Sequence, residues 1–351
     1  MNDEEKLKET FDFNSSEIKK ILQRAKLFTL IRTVTISLLV FVLLVGIILI
    51  ANAMILNRIA DSELLNETLL NSVAGPNTYM THSQVNDGFL VGEAEYITYR
   101  IVGNRPVYDG THKIKYSIFP IVQGLYGTGR SQPIQIENES TENGVEFSFY
   151  SKVGNKEMTF YHPYIEYETY PNDLALLDEI GEDKYIELAL SFDRSYTPEE
   201  VQRMLPSEVK IAWYWVDTYS EKNLDKMKGQ YVEVEFKGED GRTTTKKVYQ
   251  KPRVLRAYDV YGMEAITSTG ETVEEPWRWF IGAIDMGRNK KSHYQSIFKD
   301  IYDVLSNGKG EITKDDIRVI GVVVTGDTAS MKLLKNDYVK AATLGIVTDK
   351  F

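Results

Sequence analysis

Between Thr33 and Leu56 the chain runs for 24 residues without a charge, TVTISLLVFVLLVGIILIANAMIL. As a helix rising ~1.5 Å per residue this run is about 36 Å long, enough to cross a hydrocarbon layer of ~30 Å. A secretory signal has a shorter apolar core and a small-residue cleavage site. Here bulky residues, MILNRI, stand at the end of the run, so it reads as a retained anchor, and no second run of comparable length occurs. Lys19, Lys20, Arg24, Lys26 and Arg32 precede it, whereas Arg58 is the only base between it and Arg100. Positive charge stays on the cytosolic side, which predicts an inner N-terminus and everything beyond about residue 57 outside. Residues 1–32 carry seven bases and six acids, so the remainder holds −11 against a whole-chain charge of −10.

That acidic balance argues against a general nucleic-acid binder, which needs a cationic surface. The chain has no cysteine. Disulfides, thiolate zinc sites, Fe–S clusters and cysteine nucleophiles are therefore excluded.

Ahead of the anchor, NSSEIKKILQRAK has the pattern of a helix start, with Asn14 as cap and Glu17 three places on. Ile18, Ile21, Leu22 and Ala25 recur on one face, among basic neighbours. Two readings stay open. The segment is a basic helix lying on anionic membrane lipid, or it docks a cytosolic partner through Phe11, Phe13, Ile18, Ile21 and Leu22.

Beyond the anchor, LLNETLLNSV continues a helical pattern that Gly75-Pro76 ends. Strand-like runs follow: EYITYRIVG, KIKYSIFPIV, GVEFSFYSKVG and EMTFYH. Further on, IELALSF reads as a buried strand. SYTPEEVQRML then opens a helix with a capping box, Thr197 as cap, Pro198 at the first helical position and Glu200 two places later. VKIAWYWV forms the next strand, which makes a strand–helix–strand unit, normally parallel. A second such unit runs through IRVIGVVVTG, a helix capped by Asp327, and YVKAATLGIV. Between the two units lie a hairpin, YVEVEF to TTTKKVYQ, and a helix around 292–306.

The expected fold is thus a single-pass membrane protein: one N-terminal transmembrane helix and a large extracytoplasmic α+β or mixed α/β domain. Its proximal part is β-rich and its distal part contains βαβ units. The segments are a cytosolic stretch at 1–32, the span at 33–56, a juxtamembrane helix at 57–76, a β-rich region at 77–165 and an α/β domain at 166–351.

In the strand around VKIAWYWV, alternation places Ile211, Trp213 and Trp215 on one face and Ala212, Tyr214 and Val216 on the other. A central strand covered on both faces reads as core. Asp217 and Thr218, at its carboxyl end, are the candidate ligand positions, because ligands of open α/β sheets bind there.

Catalytic and metal motifs do not assemble. GLYGTGRS has Arg130 where a phosphate-binding loop needs lysine, and Pro133 where its helix should start. A calcium loop beginning at Asp303 would put Leu305 and Lys314 at positions that require oxygen ligands. The four histidines, His82, His112, His162 and His293, lack ligand spacing. No catalytic residue, metal site or cofactor is expected.

The segment from ILQRAKLF to MILNR, followed by GPNTYMTHS, resembles the N-terminal module of the bacterial sigma-factor-regulator family of Firmicutes. LALSFDRSYTPEEVQRMLPSEVKIAWYWVDTY and GVVVTGDTASMKLL with VKAATLG resemble its C-terminal module. The resemblance implies a membrane-bound anti-sigma factor. Its implied partner is an extracytoplasmic-function sigma factor, held directly or through a second membrane protein, with envelope state sensed outside. The rival readings from the residues are an envelope-anchored ligand-binding or enzymatic domain, or a structural scaffold.

Overall fold

The computed structural model describes residues 16–119, 134–137, 147–237, 243–335 and 337–350. Its first element, α1 (Ser16–Ala74), is one unbroken helix of 59 residues, about 88 Å long at ~1.5 Å per residue. The basic segment, the apolar run and the juxtamembrane helix are therefore a single rod. No proline interrupts it, and Gly46 is its one glycine. The rod is long and apolar enough to cross a membrane. Its surroundings change near Leu56. Val34 to Ile50, Met54 and Ile55 expose large apolar side chains, while Leu56, Ala60, Leu69, Leu70 and Val73 are buried.

The strands β1 (Thr78–Asp87), β2 (Val91–Val102) and β3 (Arg105–Ser117) form an antiparallel sheet in that order. One face of it, with Ala94, Tyr96, Ile114 and Tyr116, packs on Leu56 and Ala60 of α1. Short strands β4 (Ile134–Glu137) and β5 (Phe147–Tyr150) pair with each other, and β6 (Thr159–Phe160) pairs with β11 (Leu255–Arg256).

The distal part is built on β7 (Lys184–Tyr196), α2 (Pro198–Met204), β8 (Lys210–Val216) and α3 (Glu221–Met227). The hairpin β9 (Gln230–Lys237) and β10 (Thr243–Gln250) follows, then β12 (Gly262–Glu264), α4 (Pro276–Asn289) and α5 (Gln295–Ser306). It closes with β13 (Val319–Asp327), α6 (Thr328–Met331) and β14 (Val339–Asp349). The capping box at Thr197 and Glu200 forms, and Asp327 caps α6 by accepting from the Ser330 N–H.

The five-stranded sheet has the order β12-β8-β13-β7-β14 with every pairing antiparallel. Each strand–helix–strand unit does return parallel to its start. Its two strands are not neighbours, however: β13 lies between β7 and β8, and β7 between β13 and β14. The result is two interleaved split βαβ units. A crossover pattern in sequence sets strand direction but leaves adjacency to packing. Gly321 on β13 shows that packing, since a Cβ there would lie 2.5 Å from the Leu190 carbonyl and 2.8 Å from the Trp215 ring.

Trp213 and Trp215 are fully buried, so the aromatic strand is core. The simple alternation fails at its start. A bulge pairs Val323 with Trp213 and Val324 with Ile211, skipping Ala212. One extra residue reverses the facing of everything before it. Ala212 consequently joins the tryptophans in one cluster, and Ile211 packs with Tyr214 and Val216 in the other.

Candidate functional site: the junction of the long helix and the sheet domain

The last turns of α1 are core. Leu69, Leu70 and Val73 share a cluster with Phe280, Ile284 and Phe298 of α4 and α5. Past the helix end, Asn77 is buried in a left-handed conformation, φ 50°. Its side-chain amide donates to the Ile101 carbonyl at 2.9 Å and to Glu187 Oε1 at 2.7 Å. Glu187, fully enclosed on β7, also accepts from Arg100 Nη1 at 3.0 Å and from the Ile346 N–H at 3.2 Å through Oε2. Arg100 Nε donates to Asp109 Oδ2 at 2.9 Å, and Asn155 donates to Asp109 Oδ1 at 3.0 Å. Burial works against the Arg100 charge, but the two carboxylates hold its pKa above the ordinary value. Gly345 makes room for the network, since a Cβ there would sit 2.4 Å from Glu187 Oε2.

A second polar contact lies higher on the rod. Glu67 is buried on α1, accepts from the Tyr294 hydroxyl and lies 3.5 Å from His112 Nε2. Beside it lies a half-open cleft of about 620 Å³, lined by residues of the rod, the three-stranded sheet and the distal part. Glu67, Asn71, Tyr108, His112, Glu157 and Tyr258 are among its lining. Burial raises the Glu157 carboxyl above its usual range. The volume lies within the ~300–1,000 Å³ typical of small-molecule sites. No group of three or more metal-ligating side chains occurs among the described residues. Mechanically, the junction ties the end of the rod to both sheets through buried apolar and polar contacts.

Sequence reasoning did not find this junction. Its hydrogen-bonded pairs lie between 9 and 227 positions apart along the chain, and no local pattern joins them. Of the candidate residues, Phe11 and Phe13 lie outside the described residues. Ile18 is half-buried at the start of α1, and Ile21 and Leu22 are 65% and 55% exposed on it. Asp217 Oδ1 sits 3.6 Å from Nε2 of the buried His162. Thr218 is buried with its hydroxyl unpartnered, next to Tyr219, whose ring meets Trp215 and His162 edge-on.

Two family models match the chain: sigma factor regulator N-terminal over residues 19–107 and sigma factor regulator C-terminal over residues 177–346. The chain belongs to the sigma factor regulator family. The N-terminal match spans nearly all of α1 with β1 and β2, and the C-terminal match spans the five-stranded sheet apart from the last residues of β14. Asp109, His112 and Glu157 fall between the two. No curated protein and no solved structure matches. This sigma factor regulator therefore acts on transcription as an anti-sigma factor or sigma regulator, and its family is regulatory rather than enzymatic.

Proposed function

We propose that this regulator is anchored in the cell membrane by α1, with the N-terminus cytoplasmic and the sheet domains extracytoplasmic. In this reading it restrains an extracytoplasmic-function sigma factor at the inner face, directly or through a second membrane protein. The single observation that carries the proposal is the unbroken rod from Ser16 to Ala74. One end of it is core in the sheet domain, and the other presents Ile21 and Leu22 to solvent beside Lys19, Lys20 and Arg24. A displacement of the domain is then a displacement of the inner contact surface. Phe11, Phe13, Ile18, Ile21 and Leu22 are the proposed anchors, because docking of an apolar stripe concentrates its energy in a few side chains.

The test is substitution of Ile18, Ile21 and Leu22 together by aspartate in the full chain, with a reporter for the sigma regulon. Reporter activity should rise several-fold at unchanged membrane level of the regulator. Lys19 and Lys20 changed to glutamate should have the smaller effect, whereas a larger one would favour a helix resting on anionic lipid. Unchanged reporter activity after deletion of residues 2–26 would remove this chain as the holder of the sigma factor.

A further inference from the structure

The β1–β2 turn, Gly88 to Leu90, lies against α1 inside the apolar run. Asn52 Nδ2 donates to the Gly88 carbonyl at 3.0 Å, and the Leu90 N–H donates to Asn52 Oδ1 at 2.8 Å. Asn52 is four residues before Leu56, so the turn reaches about 6 Å back along the uncharged segment at ~1.5 Å per residue. Two large apolar side chains stand out to solvent near this level. Phe89 is 59% exposed, and Phe119, just beyond the end of β3, is 51% exposed.

The backbone of the turn is paired on both sides of Phe89. The Gly88 N–H donates to the Val91 carbonyl at 2.8 Å, and the Ile118 N–H donates to the Leu90 carbonyl at 3.0 Å. With Asn52 serving the Gly88 carbonyl and the Leu90 N–H, all four of these backbone groups are satisfied within the protein. Pairing of the groups that flank Phe89 lowers the cost of bringing the turn to the lipid boundary, because an unpaired polar group in the hydrocarbon costs several kcal/mol. Leu90 adds a second sign. It holds φ at +66°, where glycine or asparagine is the ordinary choice and a bulky residue is strained. The acid at the base of the turn, Asp87, accepts from the Tyr116 hydroxyl at 2.5 Å.

We infer that the tip of the three-stranded sheet, with Phe89 and Phe119, inserts into the lipid leaflet on its own side of the membrane, beside α1. Its partner is the boundary between acyl chains and headgroups, the layer in which amphipathic and aromatic anchors sit. Asn52 is the polar peg that fixes the depth of insertion. The inference rests on the proposal that α1 crosses the membrane. It goes beyond it by giving the regulator a second, laterally placed contact with lipid, through which bilayer packing would bear on the sheet.

The chain contains no cysteine, so single-site labelling of the full-length protein is clean. Phe89→Cys, Phe119→Cys, Leu44→Cys and Tyr108→Cys, each carrying an environment-sensitive fluorophore, would be placed in phosphatidylglycerol–phosphatidylethanolamine vesicles. Quenching by a spin-labelled phospholipid would be compared with quenching by aqueous iodide. Labels at 44, 89 and 119 should be quenched several-fold more by the lipid probe than the label at 108, with iodide giving the opposite order for 108 and 89. Lipid quenching at 44 with iodide quenching at both 89 and 119 would overturn the inserted tip and leave the span intact. Absence of lipid quenching at 44 would overturn the span and the tip together.

Discussion

Glu264 illustrates how one side chain can carry a pH dependence that its neighbours in sequence do not announce. It lies on the short edge strand β12, opposite Trp213, and burial alone pushes its carboxyl up to about 7 from 4.5. Between those two values the folded state holds a proton that the unfolded chain has released. Stability must then fall as pH rises through that window, and the loss is complete above the folded value. Glu264→Gln removes the titration. We expect the variant and the parent to be alike below pH ~4.5 and to diverge as pH rises, reaching roughly 3 kcal/mol in favour of glutamine above pH ~7. Urea titrations of the full chain in detergent at several pH values measure this, and parallel curves across the range would contradict it. The sequence shows Glu264 only as one acid among many. Its desolvation comes from the tertiary packing of β12 on β8, which no local pattern encodes.

At the scale of elements, legibility follows how local the physics is. The capping box at Thr197 and Glu200 and the Asp327 cap are contacts within three residues, and both form as the sequence implies. The aromatic strand reads correctly as core because a fully apolar run needs cover on both faces. Helix α4 escaped notice although Phe280, Ala283, Ile284 and Gly287 make a buried stripe. Two glycines and an exposed Trp279 blur its amphipathic pattern, and Gly287 is small because a Cβ would meet the Phe298 ring of α5 at 2.3 Å. Sheet order and the Asn77–Glu187–Arg100–Asp109 network were illegible for the same reason: each depends on partners from distant strands. That network docks β2, β3 and β7 on the end of α1, so its loss should be felt as loosening between elements. Arg100→Ala leaves Glu187 enclosed without its cation and should cost about 3–5 kcal/mol, the usual penalty for breaking a buried pair. Asn77→Ala, which removes neutral donors, should cost about 1–3 kcal/mol. Chemical denaturation of the two variants checks the ranking, and an Arg100 effect no larger than that of Asn77 would mean that water replaces the guanidinium.

For the whole molecule, the decisive feature is that α1 has no hinge between the sheet domain and its first described residue, Ser16. A continuous helix without proline or loop transmits tilt, rotation and axial shift, and it cannot transmit a local unfolding without breaking. Under the proposed arrangement, information from the junction or the tip would arrive at Ile21 and Leu22 as rigid-body movement. Phase along the rod then matters, because each inserted residue turns the inner face by about 100° relative to the domain. Insertion of two alanines between Arg32 and Thr33 rotates that face by about 200° and should abolish the response of the sigma regulon to envelope stress. Four alanines return it to within about 40° of its original facing and should largely restore the response. Three glycines at the same place soften the rod, and should leave basal restraint of the sigma factor in place while uncoupling it from stress. The measurement is reporter activity with and without a cell-wall antibiotic, at matched membrane levels of each variant. A full stress response from the triple-glycine chain would show that coupling does not run through a rigid helix, and equal behaviour of the two-alanine and four-alanine chains would exclude rotation as the transmitted movement.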